Sequence, residues 1–587
     1  MAALVLAAVV LLLTSLAAAA SLRLVSSVSF ALASYLLAVG EVVLLTELLS
    51  FGHWVGRTGY AIGEALLLAL SLAVWLARGR PLPPSFSLDR LALARHPVVT
   101  LLAVVVAAAI CYQAFLVFAT PPNTWDSMTY HLARTAEWYQ RHAVEYYPAH
   151  TARENAYQPN AEMLILYSLA FIGRDTVAAL PQLLAELASL GAVFGIARRL
   201  GFARPAAAFA ALLTATLTEV ALQSVTTQND LLAASFLAAA LYFLLGRERK
   251  ELALAGLAVG LALGTKATSA FGLPLIVLAA LIVLDRRRLL QALGFALAGI
   301  ALAGAYGYAL NLAETGRSQG DSAATAPLRA EWTPASTAST LGRLAYRLVD
   351  LSGYHSAKVK TSFTFRVNTL ASEDVSYFGP LGVLVAILAA GFAIAVTAGR
   401  APPKLLAPAL AVPVYLVAIA VSNRYNVFLG RFLLAGVVLT MPLAAWLYRS
   451  RALAAAAAMV GALTLALAHA YNQAKPTGLD GTPVWSLQRA RAQAILRPEM
   501  TGVIRGVDRF VPTNARLGFA LGEDDWIYPL YGPHLRRTLV RLPRVGLLVA
   551  ANRAELEWVV IRGDVPIRVG WTVTRLPARG WTLLERA

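Results

Sequence analysis

Apolar runs long enough to cross a lipid bilayer recur from the first residues to about position 470, and nothing else constrains this chain as strongly. Crossing the hydrocarbon takes roughly 17–25 residues of helix. Lipid offers backbone N–H and C=O groups no partners, so a crossing segment is either a helix or part of a closed barrel. Barrel strands are short and alternate apolar with polar residues; these runs are solid Ala/Leu/Val blocks. Composition agrees, with 58% hydrophobic and 14% charged residues, where soluble domains carry about 25% charged. The sequence predicts an all-α polytopic membrane domain.

Spans are predicted near 2–20, 28–50, 61–78, 98–119, 177–197, 205–224, 231–246, 251–265, 269–284 and 289–311. Four more are predicted near 378–398, 405–422, 429–447 and 452–471, about 14 in all. The stretch 161–172 is too short to cross and reads as interfacial or re-entrant. Residues 2–20 have no basic region before them, so they read as a first span with its N-terminus outside, not as a signal peptide.

A net charge of +18 raises the question of nucleic acid, and its distribution answers it. Seventeen basic residues sit in short turns between apolar blocks: Arg78, Arg80, Arg90, Arg95, Arg198, Arg199, Arg204, Arg247, Arg249, Lys250, Arg286, Arg287, Arg288, Arg400, Lys404, Arg449 and Arg451. Four acids accompany them, Asp89, Glu248, Glu251 and Asp285. Positive turns lie on the cytoplasmic side. The bilayer, not nucleic acid, is the partner implied, and no aromatic-studded basic patch appears. With these turns inside, the loops 120–176 and 312–377 and everything after about 472 fall outside. The division expected is 1–97 as additional N-terminal helices, 98–472 as the membrane domain proper, and 473–587 as an external domain. That last segment is richer in charge, and Arg516–Leu521, Thr538–Leu542, Glu557–Ile561 and Trp571–Val573 are β-prone runs between Pro and Gly. It reads as a small extracytoplasmic α/β domain. The single cysteine, Cys111, excludes an intramolecular disulfide.

Polar residues capable of chemistry gather on the outer side. The loop 120–163 carries Trp125, Asp126, Tyr130, His131, Arg134, Glu137, Tyr157, Gln158 and Glu162, and a helix is predicted from about Thr124. Asp126 has two readings: a helix cap, or a general base able to take a proton from an acceptor hydroxyl. His131 is a further candidate for proton work or a hydrogen-bonding interface residue. A second group, Thr226, Thr227, Gln228, Asn229 and Asp230, lies in a short external turn. Asp230 either answers the helix dipole or faces the same cavity as Asp126. Lys266, Arg424 and Arg431 run against the positive-inside trend. Such cations snorkel to lipid headgroups or line a polar cavity with a partner; a phosphate is one such partner, and arginine suits it.

There is no HExxH, no paired CxxC and no nucleotide-binding glycine loop. The acids Glu523, Asp524 and Asp525 read as a solvated turn. No cofactor is implied, and the sequence lends a divalent metal no support.

The segments WDSMTYHLARTAEWYQ (125–140), YQPNAEMLILYSL (157–169), TTQNDLL (226–232), GLALGTKATS (260–269) and NVFLGRFLL (426–434) together resemble the C-type glycosyltransferases. These integral membrane enzymes take a polyprenyl-phosphate sugar as donor, and the resemblance is to the protein O-mannosyltransferase and lipid A aminoarabinose transferase branch. It implies sugar transfer to a hydroxyl of a glycan, lipid or protein acceptor by an inverting single displacement. Asp126 would be the base, and Lys266, Arg431 and Arg424 would hold the donor phosphate. The chain departs from the better-known branches in its three additional N-terminal spans. Ser127 after Asp126 also breaks the paired acids of the mannosyltransferases. An Ala/Arg-rich, Lys-poor composition points to a GC-rich bacterium, and so to the inner membrane. The alternative from another class is a transporter or flippase of a lipid-linked substrate, disfavoured by the absence of an inverted repeat and by the one-sided placement of the polar residues.

Overall fold

The computed structural model describes all residues except 86–94, 351–372, 374–377, 480 and 564–569. Asp89 and Arg90 of the first basic turn, and much of the loop 312–377, lie outside the described residues.

Every predicted span is helical. Among the described residues, nine helices are long and apolar enough to cross a bilayer, or ten if the bent pair Arg286–Ala303 and Tyr306–Thr315 counts as one. The remaining predicted spans are shorter: Arg204–Ala215 breaks before Thr218–Gln223, and Asp230–Gly246 and Arg249–Thr265 have 17 residues each. The stretch read as too short to cross is one 13-residue helix, Asn160–Ile172.

Small residues set the closest approach inside the bundle. A Cβ on Gly256 would fall 2.2 Å from the carbonyl oxygen of Phe295, and one on Gly260 would fall 2.0 Å from that of Gly299. Helices Arg249–Thr265 and Arg286–Ala303 therefore touch backbone to backbone, as small residues four apart allow between membrane helices. Any side chain at either glycine would push them apart and shift Lys266, which follows the first helix directly.

Around Lys266, Arg431 and Asp126 the helices are irregular. Lys266 is extended (φ −156°, ψ 127°) between Arg249–Thr265 and the 3₁₀ segment Ala267–Gly272. Arg431 sits in the 3₁₀ segment Val427–Leu433. After Asp126 the chain runs through a π-helix, Ser127–His131, before the α-helix Leu132–Arg141. Non-helical backbone in a membrane bundle is tolerated where it is packed in protein or lines a cavity, and π-turns are frequent at functional sites.

The C-terminal segment builds a five-stranded mixed sheet from β1 (Arg516–Ala520), β2 (Thr538–Arg541), β3 (Trp558–Arg562), β4 (Trp571–Arg575) and β5 (Trp581–Arg586). The order is β2-β1-β3-β5-β4, parallel across β2-β1-β3 and antiparallel on the other side. The four β-prone runs are all strands; β5 is an addition. A second apolar core joins this domain to the loop 120–163: Met128, Leu132, Ala133 and Ala136 pack with Trp526, Tyr528 and Tyr531. Loop and domain thus share one core, which holds the π-helix beside the bundle.

Candidate active site

Four charged residues singled out from the sequence meet in one cluster. Arg431 Nη2 lies 2.5 Å from Asp126 Oδ2, and its Nε lies 3.9 Å from Asp230 Oδ2. Lys266 Nζ donates to Asp230 Oδ1 at 2.5 Å and to Asn229 Oδ1 at 3.1 Å. Two carboxylates and two cations therefore alternate, drawn from the loop 120–163, the 226–230 turn and two helix breaks. The ring of Phe432 floors the cations, 4.5 Å from Lys266 Nζ.

Asp126 is 9% exposed and its side chain makes no capping hydrogen bond. Its carboxylate instead accepts from Arg431 and, at 3.1 Å, from the Tyr130 hydroxyl. That removes the capping reading. Burial by itself would raise its pKa; Arg431 first, then His131 and Arg153, outweigh that and hold the carboxyl down at about 2.

A second layer lies behind. Glu162 accepts from His131 Nδ1 and forms an ion pair with Arg134 Nη2 at 2.5 Å, with all three side chains at most 2% exposed. Arg134 also donates to the backbone carbonyls of Tyr157 (2.7 Å) and Gln158 (2.8 Å), tying helix Leu132–Arg141 to the chain entering helix Asn160–Ile172. Tyr157 packs edge-on against Tyr130 at 5.5 Å.

Other candidates lie elsewhere. Trp125 packs on Trp526, and Glu137 accepts from Tyr531 Oη at 2.9 Å and from Arg141, so both anchor the C-terminal domain. Gln228 turns away from the cluster to accept from Gln223 at 2.6 Å. Arg424 sits at an exposed turn, 3.5 Å from Glu331, and is not brought to the cluster. The acids 523–525 are not simply solvated: Asp525 is buried between Arg497 and Arg562, and Asp524 pairs with Arg153 at 2.5 Å.

Arg153 was not singled out from the sequence. Its guanidinium lies 5.2 Å over the Tyr130 ring and adds to the positive field on Asp126. It occurs in the loop 120–163, but only the fold brings it there. Among the described residues, no three His, Cys, Asp or Glu side chains are grouped to hold a metal.

Residues 161–306 match the family model of the dolichyl-phosphate-mannose-protein mannosyltransferases. The match includes Glu162, Asn229, Asp230 and Lys266, and leaves Asp126 and Arg431 outside. A comparison with the curated proteins finds no match. Among solved structures, ArnT from Cupriavidus metallidurans bound to undecaprenyl phosphate superposes with a TM-score of 0.52 at 13% identity, over 83% of this chain and 98% of that one. Its apo state gives the same figures. The archaeal oligosaccharyltransferase AglB from Archaeoglobus fulgidus is 16% identical over 78% of this chain and 69% of that one, with a TM-score of 0.42. In fold over most of its length, and in sequence over residues 161–306, the chain is therefore similar to the C-type membrane glycosyltransferases.

Proposed function

We propose that this multi-pass membrane protein moves a sugar from a polyprenyl-phosphate donor to a hydroxyl acceptor, on the outer face of a bacterial cytoplasmic membrane. The observation that carries the reading is the alternation of Asp126, Arg431, Asp230 and Lys266 in one largely buried cluster at breaks in the helices. Fold and family-model similarity support the class, and the undecaprenyl phosphate bound to ArnT supports a lipid phosphate as ligand.

Without substrate, each cation is neutralised by a carboxylate. A donor phosphate competes for Arg431 and Lys266, and drawing Arg431 away restores the basicity of Asp126. Asp126 then takes the acceptor hydroxyl proton, and the oxygen attacks the anomeric carbon opposite the phosphate. The bond from that carbon to the phosphate oxygen breaks, and polyprenyl phosphate leaves with its charge met by Lys266 and Arg431. Phosphate is a good leaving group, so fixed cations take the place of a general acid. A single displacement inverts the anomeric centre.

The test is a panel of radiolabelled polyprenyl-phosphate sugars offered to the purified protein in nanodiscs. Release of polyprenyl phosphate from one of them supports the reading and names the donor. Intact donors throughout, with the lipid demonstrably bound, would turn it towards a flippase.

A further inference from the structure

Beneath the 226–230 turn lies a set of buried carboxamides that the chemistry above does not use. Gln182, Gln223 and Gln228 are 1%, 0% and 2% exposed. Gln223 Nε2 donates to Gln228 Oε1 at 2.6 Å and to Glu219 Oε1 at 3.1 Å, and Gln223 Oε1 accepts from Gln182 Nε2 at 3.3 Å. Gln182 Oε1 in turn accepts from the backbone N–H of Leu232 at 2.8 Å. Leu232 is in the first turn of helix Asp230–Gly246, whose N–H groups have no partner within the helix. A side chain from helix Leu180–Arg199 supplies one.

The turn is thus held on both sides of Asn229 and Asp230, at Gln228 by Gln223 and at Leu232 by Gln182. A third tether runs from Thr227 Oγ1 to Ser127 Oγ at 2.5 Å, next to Asp126 in the chain. The Thr226 hydroxyl, donating to the Gln223 carbonyl at 2.9 Å, closes the loop on itself.

We infer that Gln223 is a positioning residue: through Gln228 and Gln182 it fixes the 226–230 turn, and so places Asn229 and Asp230 to hold Lys266 opposite Asp126. It touches neither the cations nor Asp126, and a glutamine is the side chain the position requires. A neutral amide donates to Gln228 and accepts from Gln182 simultaneously, which neither a carboxylate nor an aliphatic chain does. The consequence for donor binding rests on the function proposed above; the geometric claim does not. Displacements of about 1 Å at a positioned site cost up to ~100-fold, so a loosened turn should be visible in solution.

The experiment uses full-length protein in nanodiscs with two variants, Gln223→Met, which keeps volume and removes the amide, and Thr227→Val, which cuts the other tether. Two quantities are read on the folded fraction: acetylation of Lys266 by an N-hydroxysuccinimide ester, followed by mass spectrometry, and the Kd for polyprenyl phosphate. Both variants are expected to label Lys266 about ten-fold faster and bind the lipid phosphate about ten-fold more weakly. A lower yield of folded protein with wild-type labelling and Kd would mean a merely structural role and overturn the inference. If Gln223→Met does not fold, Gln182→Met, which removes the amide linking Gln223 to Leu232, decides by the same readings. If the wild type binds no polyprenyl phosphate, the proposed function fails, and Lys266 labelling alone still decides the inference.

Discussion

Removing Arg431 should strand a charge. In the intact site the surroundings hold Asp126 at about 2, whereas a free aspartate titrates near 3.9. At ~1.4 kcal/mol per pH unit, the ionised carboxylate is favoured by about 2–3 kcal/mol. Because the folded-state value is depressed, that contribution is fully present above about pH 4 and lost as the pH falls towards 2. Arg431→Met takes away the largest of the effects that lower it and leaves burial, which acts the other way. Breaking a buried pair from one side costs about 3–5 kcal/mol. Adding Asp126→Asn removes the stranded charge, so the double variant should recover part of that loss, with a coupling of about 2 kcal/mol. The assay is equilibrium unfolding in mixed micelles titrated with SDS, read by tryptophan fluorescence, for wild type, both single variants and the double. Losses that simply add, within ~0.5 kcal/mol, would refute the pairing and the partner exchange built on it.

Further outcomes follow from other contacts. Lys266→Met should weaken binding of polyprenyl phosphate by ten-fold or more while Asp126 keeps its ion pair, because a point charge opposite a phosphate is lost; unchanged Kd by calorimetry would remove Lys266 from that role. Burial, opposed by hydrogen bonds from Tyr147 and the Thr151 backbone, raises Glu154 to about 7. Stability should therefore fall as pH rises from about 4.5 to 7, and Glu154→Gln should flatten that slope in unfolding titrations across the range. Tyr531→Phe removes the 2.9 Å bond to Glu137 and leaves a buried carboxylate oxygen short of a partner, at about 1–3 kcal/mol. Limited proteolysis should then release the C-terminal domain sooner. The Arg153–Asp524 pair is different, since Asp524 is 72% exposed; Asp524→Ala should change stability by less than ~1 kcal/mol.

The apolar helices of the bundle were legible in the sequence because hydrophobic length is a local property. Asp126, Asp230, Lys266 and Arg431 were legible as candidates for a related reason: each is a charge placed where an apolar segment begins or ends. Their mutual pairing was not legible, since Asp126 and Arg431 are 305 positions apart. Trp125 and Glu137 sit in the same loop as Asp126 and look equally suited to a site. Their partners Trp526 and Tyr531 lie in a domain folded from the far end of the chain. The last strand, Trp581–Arg586, ends in Glu585 and Arg586 and gives only a short apolar signal. Pairing with β3 and β4 on both sides makes it a strand. Helix breaks, such as that between Arg204–Ala215 and Thr218–Gln223, fall in residues whose hydropathy still reads as one span.

The central claim is that Asp126 is the base of a sugar transfer. Wild type and Asp126→Asn are compared in nanodiscs with the donor found from the panel, reading both polyprenyl phosphate release and binding of polyprenyl phosphate. The account expects release by the wild type and none by the variant, with lipid binding retained by both. Turnover by Asp126→Asn within about ten-fold of the wild type would contradict it, because loss of a general base is worth about 10²–10⁴ in rate.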